Sequence, residues 1–233
     1  IAALAEKYKS PTFLHNSETE NEVKECIERW GKTPTELTDS LGMYKYGGGG
    51  YHCVHFSEED IRIFKEKKLW AVTNPCSNLK LASGIAPVKR FLDEGIQLAI
   101  GTDGPASNNA LDFFREMYLA ATLSKVVEKD ASAVDASHIL YAATCGGARC
   151  MNLPDCDRLE VGKKADLVML DMSVPNMQPE NNIVKNIVYA GSKQNVKLTM
   201  VNGKILYEDG KYDIGFDPKE VYTKANEIIG RMR

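Results

Sequence analysis

Histidine is scarce in this chain, with four residues in 233 (His15, His52, His55 and His138). No second histidine lies close enough to His15 to complete a ligand set with it locally, so a metal centre here has to be assembled from parts far apart in the sequence. The six cysteines (Cys26, Cys53, Cys76, Cys145, Cys150, Cys156) form no CxxC pair and no small-domain framework. Scattered among apolar neighbours, they read as reduced thiols of a cytosolic protein. Cys145 and Cys150 point in different directions if helical, which argues against a bridge. A net charge of −3 gives no electrostatic reason to expect nucleic acid or an anionic membrane as partner. No apolar run approaches the length of a membrane span. Gly47 to Gly50 has no Lys-Ser/Thr after it and leads into a strand rather than a helix, which excludes a phosphate loop. There is no repeat of fixed period and no low-complexity tract. The 43% hydrophobic and 26% charged residues are those of an ordinary globular protein, with length enough for one large domain or a domain and a half.

What is present is an alternation of short apolar runs with amphipathic stretches, the pattern of parallel β/α units. Pro11-Thr12-Phe13-Leu14 predicts a strand ending at His15, and Val23, Cys26, Ile27 and Trp30 form a helical stripe beyond it. Tyr51 to Val54 predicts a second strand. Ser57-Glu58-Glu59-Asp60 is a capping box opening a helix that buries Ile61, Phe64 and, close by, Leu69. Leu69 to Thr73 is the third strand, Asn74 to Gly84 a loop, Ile85 to Leu92 a short helix, and Gln97 to Ile100 the fourth strand. Helices are expected over about 111–128 and 136–151. The texture then changes near Asp155 to Arg158. Leu159 to Asp171 reads as a turn and a strand, Asn202-Gly203-Lys204 as a hairpin turn, and Asp217-Pro218-Lys219-Glu220 as the start of a terminal helix with Val221, Ala225, Ile228, Ile229 and Met232 on one face. Ile1 to Lys9 looks like the tail of a helix rather than a signal peptide, so the expectation is that the chain begins partway through something longer.

The residues able to do chemistry sit at or just past strand ends, where βα loops converge in a β/α barrel. His15 and Glu18 form an HxxE on the first such loop: one metal ligand and one proton carrier. By itself that spacing is more often a surface histidine beside an acidic helix start. His52 can orient a metal-bound hydroxide, or be a hydrogen-bonded core histidine. Asp103, in Gly101-Thr102-Asp103-Gly104, can ligate a metal and act as a base, or be an ordinary Asp-Gly turn. Ser107 either reaches a ligand or caps the next helix. His55 reads as loop and His138 as a solvated or capping group. Singly these signals are weak; their order, one per strand, makes coincidence much less plausible.

The stretches FLHNSETENEV, YHCVHFSEEDI, TNPCSNLKLASGIAPV, GTDGPASNNALDFFREM and GKKADLVMLD together resemble the metal-dependent amidohydrolase superfamily, in its 5-methylthioadenosine/S-adenosylhomocysteine deaminase and chlorohydrolase-like group. The resemblance implies an α/β fold: the C-terminal half of a distorted (β/α)8 barrel, strands five to eight, over residues 1–158, and part of a small β-sandwich with a terminal helix over 159–233. It makes His15 and Asp103 zinc ligands (iron(II) being the alternative metal), Glu18, His52 and Asp103 catalytic, and Glu18, Asp103 and Ser107 substrate-facing. The implied reaction is hydrolytic deamination of an adenosine-type nucleoside at the purine C6. Two departures from the family pattern stand out: the chain has no HxH to complete the metal set, and Thr73 replaces the histidine that many relatives carry before Asn-Pro.

A cytoplasmic deaminase of small-molecule nucleosides, incomplete by itself and needing an N-terminal half or a homo-oligomeric partner, is the resulting expectation. The alternatives are another aminohydrolase or chlorohydrolase, acting on guanine, cytosine or a triazine, and a non-catalytic fragment or subunit. No nucleic acid or membrane is expected as partner.

Overall fold

Each apolar run of the first half forms a strand, and the polar-faced segment after it turns back as a helix. The computed structural model describes residues 1–232. A leading helix α1 (Ala2–Tyr8) enters β1 (Thr12–Asn16), followed by α2 (Glu20–Trp30), α3 (Pro34–Ser40), β2 (Gly48–His52), α4 (Glu58–Glu66) and β3 (Trp70–Thr73). Then come α5 (Pro75–Lys80), α6 (Val88–Asp93), β4 (Gln97–Ile100), α7 (Pro105–Asn108) and α8 (Phe113–Glu128). The four strands are parallel in the order β1-β2-β3-β4, with His15 opposite Tyr51, Tyr51 opposite Val72, and Ala71 opposite Leu98.

One face of this sheet is covered by helices. Leu69, Ala71, Leu98 and Ile100 meet Ile61, Phe64, Val88, Phe91, Met117 and Ile139 in a continuous buried core. Phe56 stands edge-on to Phe64 and Phe91, with ring centroids 4.7 and 5.7 Å apart. Burial of each such side chain contributes about 1.5–3 kcal/mol, enough for this cluster to dominate the stability of the half. The Ser57 capping box is present, with Ser57 accepting from the Asp60 amide and Asp60 from the Ser57 amide.

The second half is antiparallel. After α9 (Ala136–Tyr141), a π-helical turn (Ala142–Gly146) and α10 (Gly147–Cys150), the chain forms β5 (Leu167–Leu170), α11 (Ile183–Ala190), β6 (Val196–Val201), β7 (Lys204–Glu208), β8 (Lys211–Tyr212) and α12 (Pro218–Arg231). The strands lie in the order β5-β6-β7-β8. Asn202 and Gly203 both have positive φ, 49° and 80°, as a two-residue hairpin turn demands. Asp217 caps α12 by accepting from the Lys219 amide.

Three expectations are corrected. The second strand is Gly48–His52, not Tyr51–Val54: its glycines lie inside the strand because a Cβ at Gly48 or Gly49 would run into the Thr12 or Trp70 carbonyl. The segment after β3 contains helix α5, begun by Pro75 at its first position. The single helix expected over 136–151 is broken by the π-helical turn, which lays Gly146 against β4, where a Cβ would come within 2.6 Å of the Leu98 carbonyl oxygen. The apolar stripes of α2 and α12 form as helix faces as expected, and they remain largely exposed: Trp30 is 63% and Ile229 51% exposed. Periodicity fixes which face is apolar, not what covers it.

Between α10 and β5 no helix or strand forms over 151–166, and an ion cluster holds the segment. The nearly buried Asp157 carboxylate accepts from Arg149 Nε at 2.8 Å and from Lys163 Nζ, with Arg158 at 3.9 Å. Hydrogen bonds from Lys163 and then Arg149 hold its pKa down to about 2, below the ordinary 3.8. A depressed folded-state pKa stabilises fully above the unfolded value and is lost as pH falls through the folded one. Asp157→Asn should therefore lower the urea midpoint at pH 7, and the gap from the parent chain should close between about pH 4 and pH 2. A gap constant over that range would show that the charge of Asp157 is not what holds the segment.

Candidate functional site

The sequence-predicted residues converge on the C-terminal edge of the parallel sheet. His15 is the penultimate residue of β1, His52 ends β2, and Asp103 follows β4 by three residues. One ligand atom from each of His15, His52 and Asp103 lies within 4.8 Å of the others, the one such group among the described residues. The two imidazoles are stacked, with centroids 5.3 Å apart and planes at 21°. Glu18, just beyond β1, brings Oε2 to 3.8 Å from His52 Nε2. The backbone is bent sharply to do this: Ser17, His52 and Asp103 have φ of 50°, 72° and 58°. Left-handed conformations in residues with a Cβ cost roughly 1 kcal/mol or more each, and such strain gathers where side-chain aim matters more than local stability.

His52 is fully buried, and its Nδ1 is 2.7 Å from Asn78 Oδ1. With that oxygen accepting, Nδ1 donates to Asn78 and Nε2 faces Glu18. Asp103 Oδ2 accepts from Ser77 Oγ at 2.6 Å and from Ser107 Oγ at 2.5 Å. Burial pushes the Asp103 pKa up, but the hydrogen bonds from Ser107, Ser77 and the Gly104 amide, and the nearby His52, bring it below the ordinary value. Glu18 Oε1 accepts from Ser83 Oγ at 3.2 Å.

Ser107 thus bears on the Asp103 carboxylate, and the cap of α8 is Asp112 instead. His55 stands apart from the cluster, with Nε2 2.7 Å from the Ser83 carbonyl oxygen. His138 is exposed on α9. Thr73, at the end of β3, is buried. Sequence reasoning missed Ser77, Asn78 and Ser83, all within the segment read as a loop. Their signal was the density of serine and asparagine directly after a strand, in a segment that has to be buried.

The donor set fits a divalent metal in part. An imidazole and a carboxylate of lowered pKa are ligands for zinc or iron(II), and the hydrogen bond on the far side of His52 is what orients an imidazole at a metal centre. A groove of about 880 Å³ between α8, α9 and β5–β6, lined by Phe113, Met117, Leu140 and Val168 among others, lies away from these residues and shares none of them.

The model of the Amidohydrolase family matches residues 1–206. A 5-methylthioadenosine/S-adenosylhomocysteine deaminase of Caldanaerobacter subterraneus subsp. tengcongensis is 43% identical over 98% of this chain and 54% of its own length. Among solved structures, an adenosine deaminase from Xanthomonas campestris with bound zinc superposes with a TM-score of 0.93 at 36% identity, over 99% of this chain and 53% of that one. The atrazine chlorohydrolase of Arthrobacter aurescens TC1, complexed with zinc, superposes at 0.88 over 98% and 50%, but its 23% identity speaks for the fold alone. The chain spans about half the length of the curated relatives it matches.

Proposed function

The chain belongs to the amidohydrolase family, and from that premise we propose that it works as part of a zinc-dependent enzyme that deaminates adenosine-type nucleosides such as S-adenosylhomocysteine and 5-methylthioadenosine. One observation carries the reading: the donor atoms of His15, His52 and Asp103 meet within 4.8 Å on the C-terminal edge of a parallel sheet, with Glu18 beside them. Four parallel strands are half the number that closes a (β/α)8 barrel. We read residues 1–158 as strands five to eight of such a barrel, and 159–233 as part of a β-sandwich with its terminal helix. The second face of the sheet supports this. It carries Phe13, Tyr51 and an exposed His15, whereas an all-parallel sheet is ordinarily covered on both faces. The uncovered apolar faces of α2 and α12 likewise favour a partner, either the complementary half of the barrel or a second copy.

His15 and Asp103 would hold the zinc, with iron(II) as the alternative. When bound, the metal supplies a water acidified toward neutral pH and a positive charge at the reacting edge. The chain's own groups do the rest. Asp103 takes the proton from the attacking water. His52 Nε2 orients the oxygen as it adds to the purine C6. Glu18 delivers a proton to the ring nitrogen next to that carbon and recovers one from the added hydroxyl, while the proton held by Asp103 passes to the amine, which leaves as ammonia and gives a 6-oxo purine. Ser107 holds the Asp103 carboxylate at the substrate side.

The test measures ammonia released from S-adenosylhomocysteine, 5-methylthioadenosine and adenosine, with ammonia from guanine and cytosine and chloride from a chlorotriazine as comparators. The chain is assayed with zinc, alone and combined with the N-terminal half of the 43% identical relative. Release from an adenosine-type substrate after combination is expected. Ammonia from guanine or cytosine only would overturn the substrate; chloride from the triazine only, or no release from any of them, would overturn the deaminase reading. Full turnover by the chain alone would remove the need for a partner.

A further inference from the structure

We infer that Glu116, a residue outside the reacting group, is a positioning residue that sets the geometry of the candidate site by clamping two of its loops together. The inference rests on the reading of His52 and Asp103 as site residues.

Glu116 lies in the first turn of α8 and is fully buried. Its Oε2 accepts from the Cys76 amide at 2.9 Å and its Oε1 from Asn108 Nδ2 at 2.6 Å. Cys76 is the second residue of α5, whose own N-cap residue, Asn74, makes no side-chain capping bond. Glu116 therefore supplies, from 40 residues away, the acceptor that this short helix lacks. The next two residues of α5 are Ser77, which donates to Asp103, and Asn78, which holds His52. Asn108 Nδ2 also donates to the Thr102 carbonyl oxygen at 2.7 Å, directly before Asp103. One carboxylate thus fixes the segment that orients His52 and the loop that carries Asp103, and neither oxygen is spare. Its hydrogen-bond partners, the Cys76 amide and Asn108, belong to the two segments it joins.

A glutamine at this position keeps the shape but has a single acceptor. Its amide nitrogen must face either the Cys76 N–H or the Asn108 Nδ2, donor against donor. Asn108 cannot turn its amide over without losing the Thr102 bond.

The experiment compares the unsubstituted chain with Glu116→Gln by amide hydrogen exchange and by imidazole ¹⁵N spectroscopy of His52, with thermal unfolding alongside. In the parent, the Cys76 amide should be as protected as those of β3 and β4, and His52 should show the Nδ1–H tautomer. In Glu116→Gln, exchange should rise about 10- to 100-fold in residues 74–80 and 101–109 together, while β1–β3 amides stay protected. The His52 signals should shift toward a mixture of tautomers. A lowered melting temperature with an unchanged tautomer and no paired rise in exchange would make Glu116 merely structural and overturn the inference. If the variant does not fold, the parent alone decides: a Cys76 amide exchanging as fast as that of exposed Val161 would equally overturn it. Neither readout involves zinc or ammonia, so a failed deaminase assay is distinguishable from a failed clamp.

Discussion

Glu18→Gln, in the chain combined with the N-terminal half of the 43% identical relative, should abolish most ammonia release while zinc stays bound. Glutamine matches glutamate in size and keeps an oxygen to accept from Ser83, so the loop after β1 is held as before. It cannot give or take a proton. Positioned general acid–base groups contribute on the order of 10²- to 10⁴-fold to rate, and a loss in that range is expected in kcat, with KM little changed. Zinc content measured on the same sample separates this from a damaged metal centre, since Glu18 is not among the proposed ligands. Ser83→Ala should cost far less, because it loosens the aim of Glu18 without removing its proton chemistry. A Glu18→Gln enzyme retaining more than about a tenth of the parental rate would take the proton-carrying role away from Glu18.

The contrast between what the sequence revealed and what it hid follows the range of the interactions. Capping boxes and hairpin turns act over two to four residues, so Ser57-Glu58-Glu59-Asp60 and Asn202-Gly203 were readable directly. His15, His52 and Asp103 were legible because each ends or follows an apolar run, and parallel strands place their ends at one edge. Ser77, Asn78 and Ser83 were not. Their partners lie 26, 26 and 65 residues away, and the short helix that aims the first two is capped by a glutamate 40 residues further on. Nothing local announces such bonds. The stripes of α2 and α12 show the opposite limit, since their faces were correctly drawn while no residue of either helix is buried among the described residues.

Gly49→Ala should be among the most damaging single substitutions in the protein, though it adds one methyl group. β2 opens with three glycines wedged between neighbouring strands. At Gly49 a Cβ would penetrate the Trp70 carbonyl of β3 and press on the Phe13 ring from β1; these are backbone and packed aromatic atoms, not flexible side-chain ends. The sheet would have to part on both sides of the central position. Overpacking typically costs 1–3 kcal/mol and more where backbone must move, so a loss of about 3 kcal/mol or more is expected. Gly42→Ala provides the control. Its φ of 73° disfavours alanine, but no atom lies within 4 Å of the added carbon, so about 1 kcal/mol is expected there. Urea midpoints of the two variants give the comparison, and equal losses would mean that the strands do not approach as closely as described. The consequence reaches the site, because β2 carries His52 three residues beyond Gly49, stacked on His15 from β1. A spacing that only glycine permits at the base of the strands is what brings the two imidazoles face to face at their ends.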